Sequence, residues 1–244
     1  MVFIFNTIKK HMQKESIIII VTLFVAFFVV LLMVNKISKS EQTLAVPGKY
    51  NQIVLDAGHG GVDAGAIGVN GILEKDINLN ITLMLKDMLI SCGYDVVLTR
   101  DKDESKHDPD ITKIPRFKKS DMKNRLEIIT KNPSSITISI HQNTFSSKKQ
   151  NGAQIFYSEN NPLSKELAQK IQDSFKNNLQ PDNKREIKPA KGDYFLLKQS
   201  QTPIVLAECG FLSNPEEASL LSTEDYQSKV AFTLFCAIIN FMND

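Results

Sequence analysis

Strand-like and helix-like patterns alternate along this 244-residue chain from Gln52 onward, and this alternation limits the fold more than any other feature. The apolar run Gln52–Asp56 leads into a loop crowded with glycines, and an amphipathic helix pattern continues from Ile77 to Cys92. Further strands are predicted at Tyr94–Thr99, Ile136–Ile140, Ala153–Tyr157, Tyr194–Lys198 and Pro203–Ala207. Further helices are predicted at Met122–Thr130, Leu163–Phe175, Pro215–Leu221 and Glu224–Phe241, and surface loops at Asp101–Ser120 and Asn178–Asp193. The pattern predicts an α/β fold, a single layered domain with a mostly parallel central sheet flanked by helices.

Four side chains that can bind a metal or transfer a proton lie at the ends of these elements. His59 comes just after the first strand, and His141 and Glu208 come at the ends of two later strands. Glu74 opens the first helix. Because ligands gather beyond the carboxyl ends of parallel strands, we expect the fold to bring these four residues to one edge of the sheet. Taken singly, Glu74 could merely favour the helix dipole, His141 could be a core histidine, and Glu208 could belong to an ion pair.

Together the four residues are the parts of a hydrolytic zinc site. Imidazole nitrogen and carboxylate oxygen bind zinc, and a catalytic zinc keeps one position open. We therefore predict that His59, Glu74 and His141 bind one Zn²⁺ ion, and that Glu208 takes a proton from water and passes it to a leaving nitrogen. A phosphate-binding loop is the alternative for the glycine-rich segment, but GHGGVDAGAIG lacks the G-x-x-x-x-G-K-[ST] pattern. A catalytic thiol at Cys209 is less favoured than a buried residue of the strand end.

The N-terminal segment is predicted to anchor the protein in a membrane. Residues 17–34 are apolar apart from Thr22, and three lysines precede them within residues 1–16. This length just reaches across the ~30 Å hydrocarbon core, and the basic flank favours a cytoplasmic N-terminus with the remaining chain outside the cytoplasm. A signal peptide cleaved near Ala45 is the alternative, and it would make the protein secreted. Residues 35–49 are then a linker, and residues 50–244 form the catalytic domain.

Charge and cysteine usage argue against other classes of protein. Once residues 1–45 are set aside, 24 basic and 25 acidic residues remain, so no nucleic-acid-binding face is expected. The three cysteines lack metal-ligand spacing, and Cys92 and Cys236 are predicted to be small core residues. Asp63 is predicted to be a turn residue, and His107 a solvated residue of the charged loop.

Several long motifs occur in a fixed order along the domain. They are LDAGHGGVDAGAIG with LEKD, then GYDVVLTR, ITISIHQN, GAQIFYS and PIVLAECGFLSNPEEA. This set resembles the zinc-dependent N-acetylmuramoyl-L-alanine amidases, the amidase-3 family. The resemblance implies hydrolysis of the amide between N-acetylmuramic acid and L-alanine in peptidoglycan, with His59, Glu74 and His141 as the zinc ligands and Glu208 as the catalytic glutamate. Gln142 departs from the family pattern, because most members have a small residue there.

The motifs IHQN and GAQIFY, without accompanying cell-wall-binding repeats, are most similar to the sporulation branch of the family. That likeness implies removal of stem peptides from spore-cortex peptidoglycan, so that muramic lactam forms and is recognised at germination. The domain would then face the space between the membranes of a sporulating cell. A vegetative cell-wall amidase, a non-catalytic peptidoglycan-binding module and a zinc peptidase are the alternatives. The expected partners are peptidoglycan and, through the N-terminal helix, a membrane, and an accessory protein is left open.

Overall fold

A six-stranded sheet organises the domain. The computed structural model describes residues 50–69, 71–111, 114–192 and 194–243, together with Phe24. The strands are β1 (Gln52–Ala57), β2 (Asp95–Leu98), β3 (Ser135–Asn143), β4 (Gln154–Tyr157), β5 (Lys188–Pro189) and β6 (Ile204–Phe211). Their order is β2-β1-β3-β6-β4-β5, and every neighbouring pair is parallel except β4 with β6. The predicted α/β class with a mostly parallel sheet is confirmed.

Six helices within the described residues cover the two faces of this sheet. They are α1 (Glu74–Ser91), α2 (Ile114–Thr130), α3 (Pro162–Asn178), α4 (Phe195–Gln199), α5 (Pro215–Leu221) and α6 (Glu224–Met242). Side chains alternate along each strand, so Ile53 and Leu55 of β1 pack with α1, α3 and α6, whereas Val54 packs on the opposite face against α2 and α4. Each fully buried aliphatic side chain stabilises the fold by about 1.5–3 kcal/mol. Both faces are therefore largely apolar, with a few buried polar residues such as Asp56, Thr137 and Ser139.

Two secondary-structure predictions were wrong, one in the type of element and one in where a helix begins. Tyr194–Lys198 was predicted to be a strand, but Phe195–Gln199 is a helix, in which the adjacent residues Leu196 and Leu197 are both buried. Two consecutive buried residues fit one helical turn better than a strand that alternates between core and solvent. The predicted loop Asp101–Ser120 gives way to α2 at Ile114, and Pro115 is compatible with this start because the first helical turn needs no backbone N–H donor.

The predictions for the cysteines, His107 and the N-terminal segment can also be compared with the structure. Cys209 is buried as predicted and Cys236 is half-buried, but Cys92 is exposed, because it caps the end of α1 instead of lying on its buried face. His107 is also only half exposed, and its ring lies against Phe117. The predicted anchor at residues 17–34, the segment 1–16 and the linker 35–49 lie outside the described residues, apart from Phe24. Within the described part of the chain, no helix combines the length and apolar character that a membrane span requires.

Candidate active site

The four residues singled out in the sequence lie at one edge of the sheet. His59 follows β1 with a φ of 61°, a left-handed backbone that a non-glycine residue seldom adopts. His141 lies near the end of β3, and its Cα is paired in register with that of Glu208 in β6. Glu74 is the first residue of α1, which begins at the same edge. The fold thus unites residues that are up to about 150 positions apart in the sequence, as parallel topology predicts.

The two histidines converge on the carboxylate of Glu74. His59 Nε2 lies 3.2 Å from Glu74 Oε2, and His141 Nδ1 lies 3.0 Å from Glu74 Oε1. The imidazole rings are 5.0 Å apart between centroids and nearly perpendicular. One ligand atom from each of the three residues falls within 4.8 Å of the other two.

This geometry fits a single zinc ion. Zinc bonds of about 2.0–2.2 Å in a tetrahedral arrangement place neighbouring ligand atoms roughly 3.3 Å apart. Each histidine lies at about that distance from one oxygen of Glu74, 3.2 Å from Oε2 and 3.0 Å from Oε1, and a set with one ligand atom from each residue lies within 4.8 Å. The donor set of two imidazoles and one carboxylate is also one that catalytic zinc sites use, and it leaves a fourth position for water or substrate.

Neighbouring groups hold the three side chains in place. His59 Nδ1 lies 2.9 Å from Asp63 Oδ2, and Lys118 Nζ lies 2.9 Å from the other oxygen of that carboxylate. Asp63 is therefore more than the turn residue that was predicted, because a carboxylate on the second ring nitrogen fixes the tautomer of a ligand histidine. The sequence offers one signal for this role, since an acidic residue four positions after a candidate ligand is within reach of its ring.

The carboxylate of Glu74 is similarly held. Ala66 N donates to Oε2 at 2.8 Å, and Gln142 N donates to Oε1 at 3.1 Å. Asn78, one turn later in α1, donates to Oε1 at 3.2 Å and in turn accepts from Gln142 Nε2. Gln142, the departure from the family pattern, thus contributes both its backbone and its side chain to the surroundings of Glu74.

The electrostatics of the cluster suit a cation. Burial lowers the pKa of His59, but hydrogen bonds to Asp63 and Glu74 outweigh burial and raise that pKa to about 9. Burial raises the pKa of Glu74, but hydrogen bonds to His141 and His59 outweigh it and hold that pKa well below its ordinary value. A metal ion binds neutral imidazole, so its binding has to displace the His59 proton.

Glu208 differs from Glu74 in having an uncommitted oxygen. The Oε2 atom is buried and has no hydrogen-bond partner among the residues that the structure describes. Burial raises the pKa of this carboxyl to about 7, with nearby Glu74 adding to the effect and the two histidines opposing it. A group with this pKa gains and loses a proton near neutral pH. The adjacent Cys209 is fully buried, and burial raises the pKa of its thiol, so a thiolate nucleophile is not favoured there.

Two buried arginines, which the sequence analysis did not single out, hold the loop that carries His59. Arg100 Nε donates to Ala57 O at 2.9 Å and Nη2 donates to Gly58 O at 3.0 Å. Arg125 Nη2 donates to His59 O at 2.6 Å, and its Nη1 pairs with Asp56 at 2.8 Å. These bonds account for the left-handed His59 backbone, because strained conformations persist where surrounding contacts determine them.

A cavity of about 260 Å³ opens beside the cluster. His59, His141 and Glu208 line it together with Met122, Tyr194 and Leu197. The cavity therefore combines candidate metal ligands and an acid with apolar and aromatic side chains that a substrate can contact.

Gly65 provides a sharp test of the packing around this cluster. A Cβ at Gly65 would lie 2.5 Å from Glu74 Oε2 and 2.7 Å from the His59 ring, so we expect Gly65→Ala to weaken zinc affinity about 10–100-fold. Gly71→Ala is the matched control, because Gly71 also has a positive φ (81° against 69°) but a Cβ there meets nothing within 4 Å. Zinc affinity is measured by competition with a chelating dye. Equal losses in both variants would mean that backbone strain, and not contact with the ligands, is responsible.

The fold and the site together define a hydrolase with a layered α/β domain and a candidate metal centre at the carboxyl ends of the strands. Residues 53–240 match the family Amidase_3, N-acetylmuramoyl-L-alanine amidase, and the chain belongs to this family. The protein is accordingly an amidase of the N-acetylmuramoyl-L-alanine type, and its substrate is peptidoglycan.

Relatives and solved structures agree with this assignment. The chain is 35% identical over 227 residues to the germination-specific N-acetylmuramoyl-L-alanine amidase of Bacillus subtilis, covering 91% of this chain and 94% of that protein. The structure of the CwlD amidase from Clostridioides difficile in complex with the GerS lipoprotein has a TM-score of 0.76 and 42% identity, covering 79% of this chain and 98% of that chain. The amidase AmiC2 of Nostoc punctiforme has a TM-score of 0.67 and 27% identity, covering 81% and 99% of the two chains. The predicted family is confirmed.

Proposed function

We propose that the protein is a zinc-dependent amidase that removes stem peptides from the peptidoglycan of the spore cortex. The observation that carries the zinc chemistry is the convergence of His59, Glu74 and His141 next to the unpartnered Oε2 of Glu208. Likeness to a germination-specific amidase and to the CwlD amidase supports the cortex as the place of action. A vegetative cell-wall amidase is the alternative, because the name of another relative, N-acetylmuramoyl-L-alanine amidase LytC of Bacillus subtilis, does not mention germination.

The side chains divide the work of amide hydrolysis. His59, Glu74 and His141 would hold the zinc ion, with Asp63 fixing the orientation of the His59 ring through their 2.9 Å contact. When bound, zinc supplies Lewis acidity for the scissile carbonyl and lowers the pKa of a water molecule. Glu208 Oε2 would accept a proton from the attacking water and deliver it to the departing nitrogen of L-alanine. Water adds to the lactyl carbonyl carbon, the C–N bond breaks, and the products are a lactyl carboxylate and a peptide ammonium group.

Removal of zinc is expected to abolish hydrolysis and its return to restore it. The purified domain, residues 50–244, is treated with a strong chelator, and digestion of a defined muramyl peptide is followed by mass analysis. We expect activity to fall by about 100-fold or more, since a metal contributes several kcal/mol of transition-state stabilisation. Added Zn²⁺ should restore the activity and added Mg²⁺ should not, because Mg²⁺ prefers an octahedral set of oxygen ligands. Undiminished turnover after stringent metal removal would contradict the zinc mechanism.

The products in the same digestion distinguish the alternatives. An amidase releases a stem peptide with a free L-alanine amine, and the muramic acid keeps its lactyl carboxylate. A zinc peptidase would instead release fragments cut between amino acids. A non-catalytic binding module would retain wall fragments without product even at saturating zinc, although such a module has no need of Glu208.

The cellular role has its own test. If the protein acts on the cortex, deletion of its gene should give spores whose peptidoglycan lacks muramic lactam, whereas a vegetative amidase would leave the lactam unchanged.

We further propose that residues 17–34 retain the protein in a membrane, with residues 50–244 outside the cytoplasm. N-terminal sequencing of the mature protein would show cleavage near Ala45 if this is wrong.

An accessory lipoprotein is also proposed, because the CwlD amidase was solved with GerS. Co-purification from sporulating cells tests this partner.

A further inference from the structure

Arg185 is a firmly held cation at the same edge of the sheet as the candidate active site. It lies between α3 and β5, and its Nε donates to Asn151 O at 2.7 Å while Nη2 donates to Gln150 Oε1 at 2.6 Å. The guanidinium carbon lies over the Phe211 ring, 4.5 Å from its centre, which is a cation–π contact. The orientation of the guanidinium is thus fixed by neutral groups.

Within the described ranges, no carboxylate forms an ion pair with Arg185. The charge of Glu217 acts on it through space, but Glu217 accepts from Gly152 N and Phe211 N, each at 2.8 Å, so its two oxygens are already committed. A guanidinium has five N–H donors. Three of the five face Asn151, Gln150 and Gln154, the last at a long 3.4 Å. The other two N–H groups of this half-buried cation have no hydrogen-bond partner among the residues that the structure describes.

The strand register connects this cation to Glu208 through one intervening residue, Gln154. Strand β4 runs antiparallel to β6, and Gln154 at the start of β4 is paired with Glu208. Paired residues point to the same face with Cβ atoms about 4.5–5.5 Å apart. Arg185 contacts Gln154, the register partner of Glu208, from outside the cavity that Glu208, Tyr194 and Leu197 line.

We propose that Arg185 binds a carboxylate of the stem peptide, on the L-alanine side of the scissile amide. The inference rests on the proposed function. The glycan offers no free carboxylate near the bond, because the lactyl carboxyl of muramic acid is the one joined to L-alanine. Where the second stem residue ends the peptide or continues it through its side-chain carboxyl, its α-carboxylate is free. An extended residue spans about 3.3–3.6 Å, so that group lies within two residue lengths of the nitrogen that Glu208 protonates. A planar guanidinium with two free N–H groups suits bidentate recognition of such a carboxylate.

The test compares two muramyl peptides that differ only in the second stem residue, which carries an α-carboxylate in one and an α-carboxamide in the other. For the wild-type domain, kcat/KM should be higher on the carboxylate form. Arg185→Gln should raise KM for the carboxylate form about 10–100-fold, as expected for loss of a charged hydrogen bond, and change the carboxamide form about 3-fold or less. Arg185→Lys keeps the charge without the fork and should fall between the two.

Several results would overturn this assignment. Equal losses on both substrates would mean that Arg185 only holds the loop of Gln150 and Asn151. A wild-type domain that does not distinguish carboxylate from carboxamide would refute the inference even if Arg185→Gln fails to fold. If the zinc-loaded wild-type domain cleaves neither peptide, the amidase mechanism fails together with the inference. Cleavage of both without discrimination removes the inference alone.

Discussion

Glu208→Gln is expected to lower kcat by about 10²–10⁴-fold while zinc remains bound. Glutamine has nearly the same shape as glutamate but cannot accept a proton from water. The buried and unpartnered Oε2 of Glu208 makes no hydrogen bond that the fold requires, so its loss removes a proton acceptor and not a structural contact. Because burial raises the pKa of Glu208 to about 7, the wild-type carboxyl is suited to both accept and return a proton near neutral pH.

Glu217→Gln is the matched control for this variant. Glu217 is also a buried glutamate, and burial raises its pKa, but its two oxygens accept from Gly152 N and Phe211 N. We expect Glu217→Gln to reduce the free energy of unfolding by about 1–3 kcal/mol, through loss of one of these bonds, without a comparable loss of kcat in the folded protein. Zinc content, kcat and urea unfolding are measured for both variants. Wild-type turnover in Glu208→Gln would remove Glu208 from the proposed role.

The candidate site could be located from the sequence because topology does most of the positioning. His59, His141 and Glu208 all follow apolar strand patterns, and parallel strands end at one edge. The sequence does not reveal that Glu208 pairs in register with His141. That pairing depends on the order of the strands in the sheet, and no pattern within either segment specifies it. The positions of ligand residues were therefore predictable, whereas their distances depended on how the strands assembled.

The supporting residues were not predictable for a physical reason. Arg100 and Arg125 are charged, and charged residues are rarely buried, so a sequence pattern assigns them to the surface. Arg125 lies 66 positions from the His59 carbonyl that it binds, and no local pattern reveals a contact of that range. The helix α4 was wrongly predicted to be a strand for a local reason. Its five residues are too few for helical periodicity to appear in the sequence.

Arg125→Met is expected to lower the free energy of unfolding by about 3–5 kcal/mol at neutral pH. The substitution keeps much of the side-chain volume but leaves Asp56, which is 1% exposed, without its cation 2.8 Å away. It also removes the donors to Ala57 O and His59 O, so zinc affinity should fall with stability. The exposed Arg116 in the same helix is the control, and Arg116→Met should change the unfolding free energy by about 0.5 kcal/mol or less.

The acid dependence of stability separates the ion pair from simple packing. Burial raises the pKa of Asp56, but Arg125 and the hydroxyl groups of Ser139 and Thr99 outweigh burial and lower that pKa from 3.8 to about 2. A lowered folded-state pKa adds stability that is complete above pH 3.8 and is lost as the pH falls through 2, so about 1 kcal/mol should be gone by pH 3. In Arg125→Met the unpaired, buried Asp56 should have a raised pKa, and its titration should no longer cost stability on acidification. Urea unfolding at pH 6 and pH 3 measures both slopes, and identical slopes in the two proteins would show that Arg125 does not set the ionisation of Asp56.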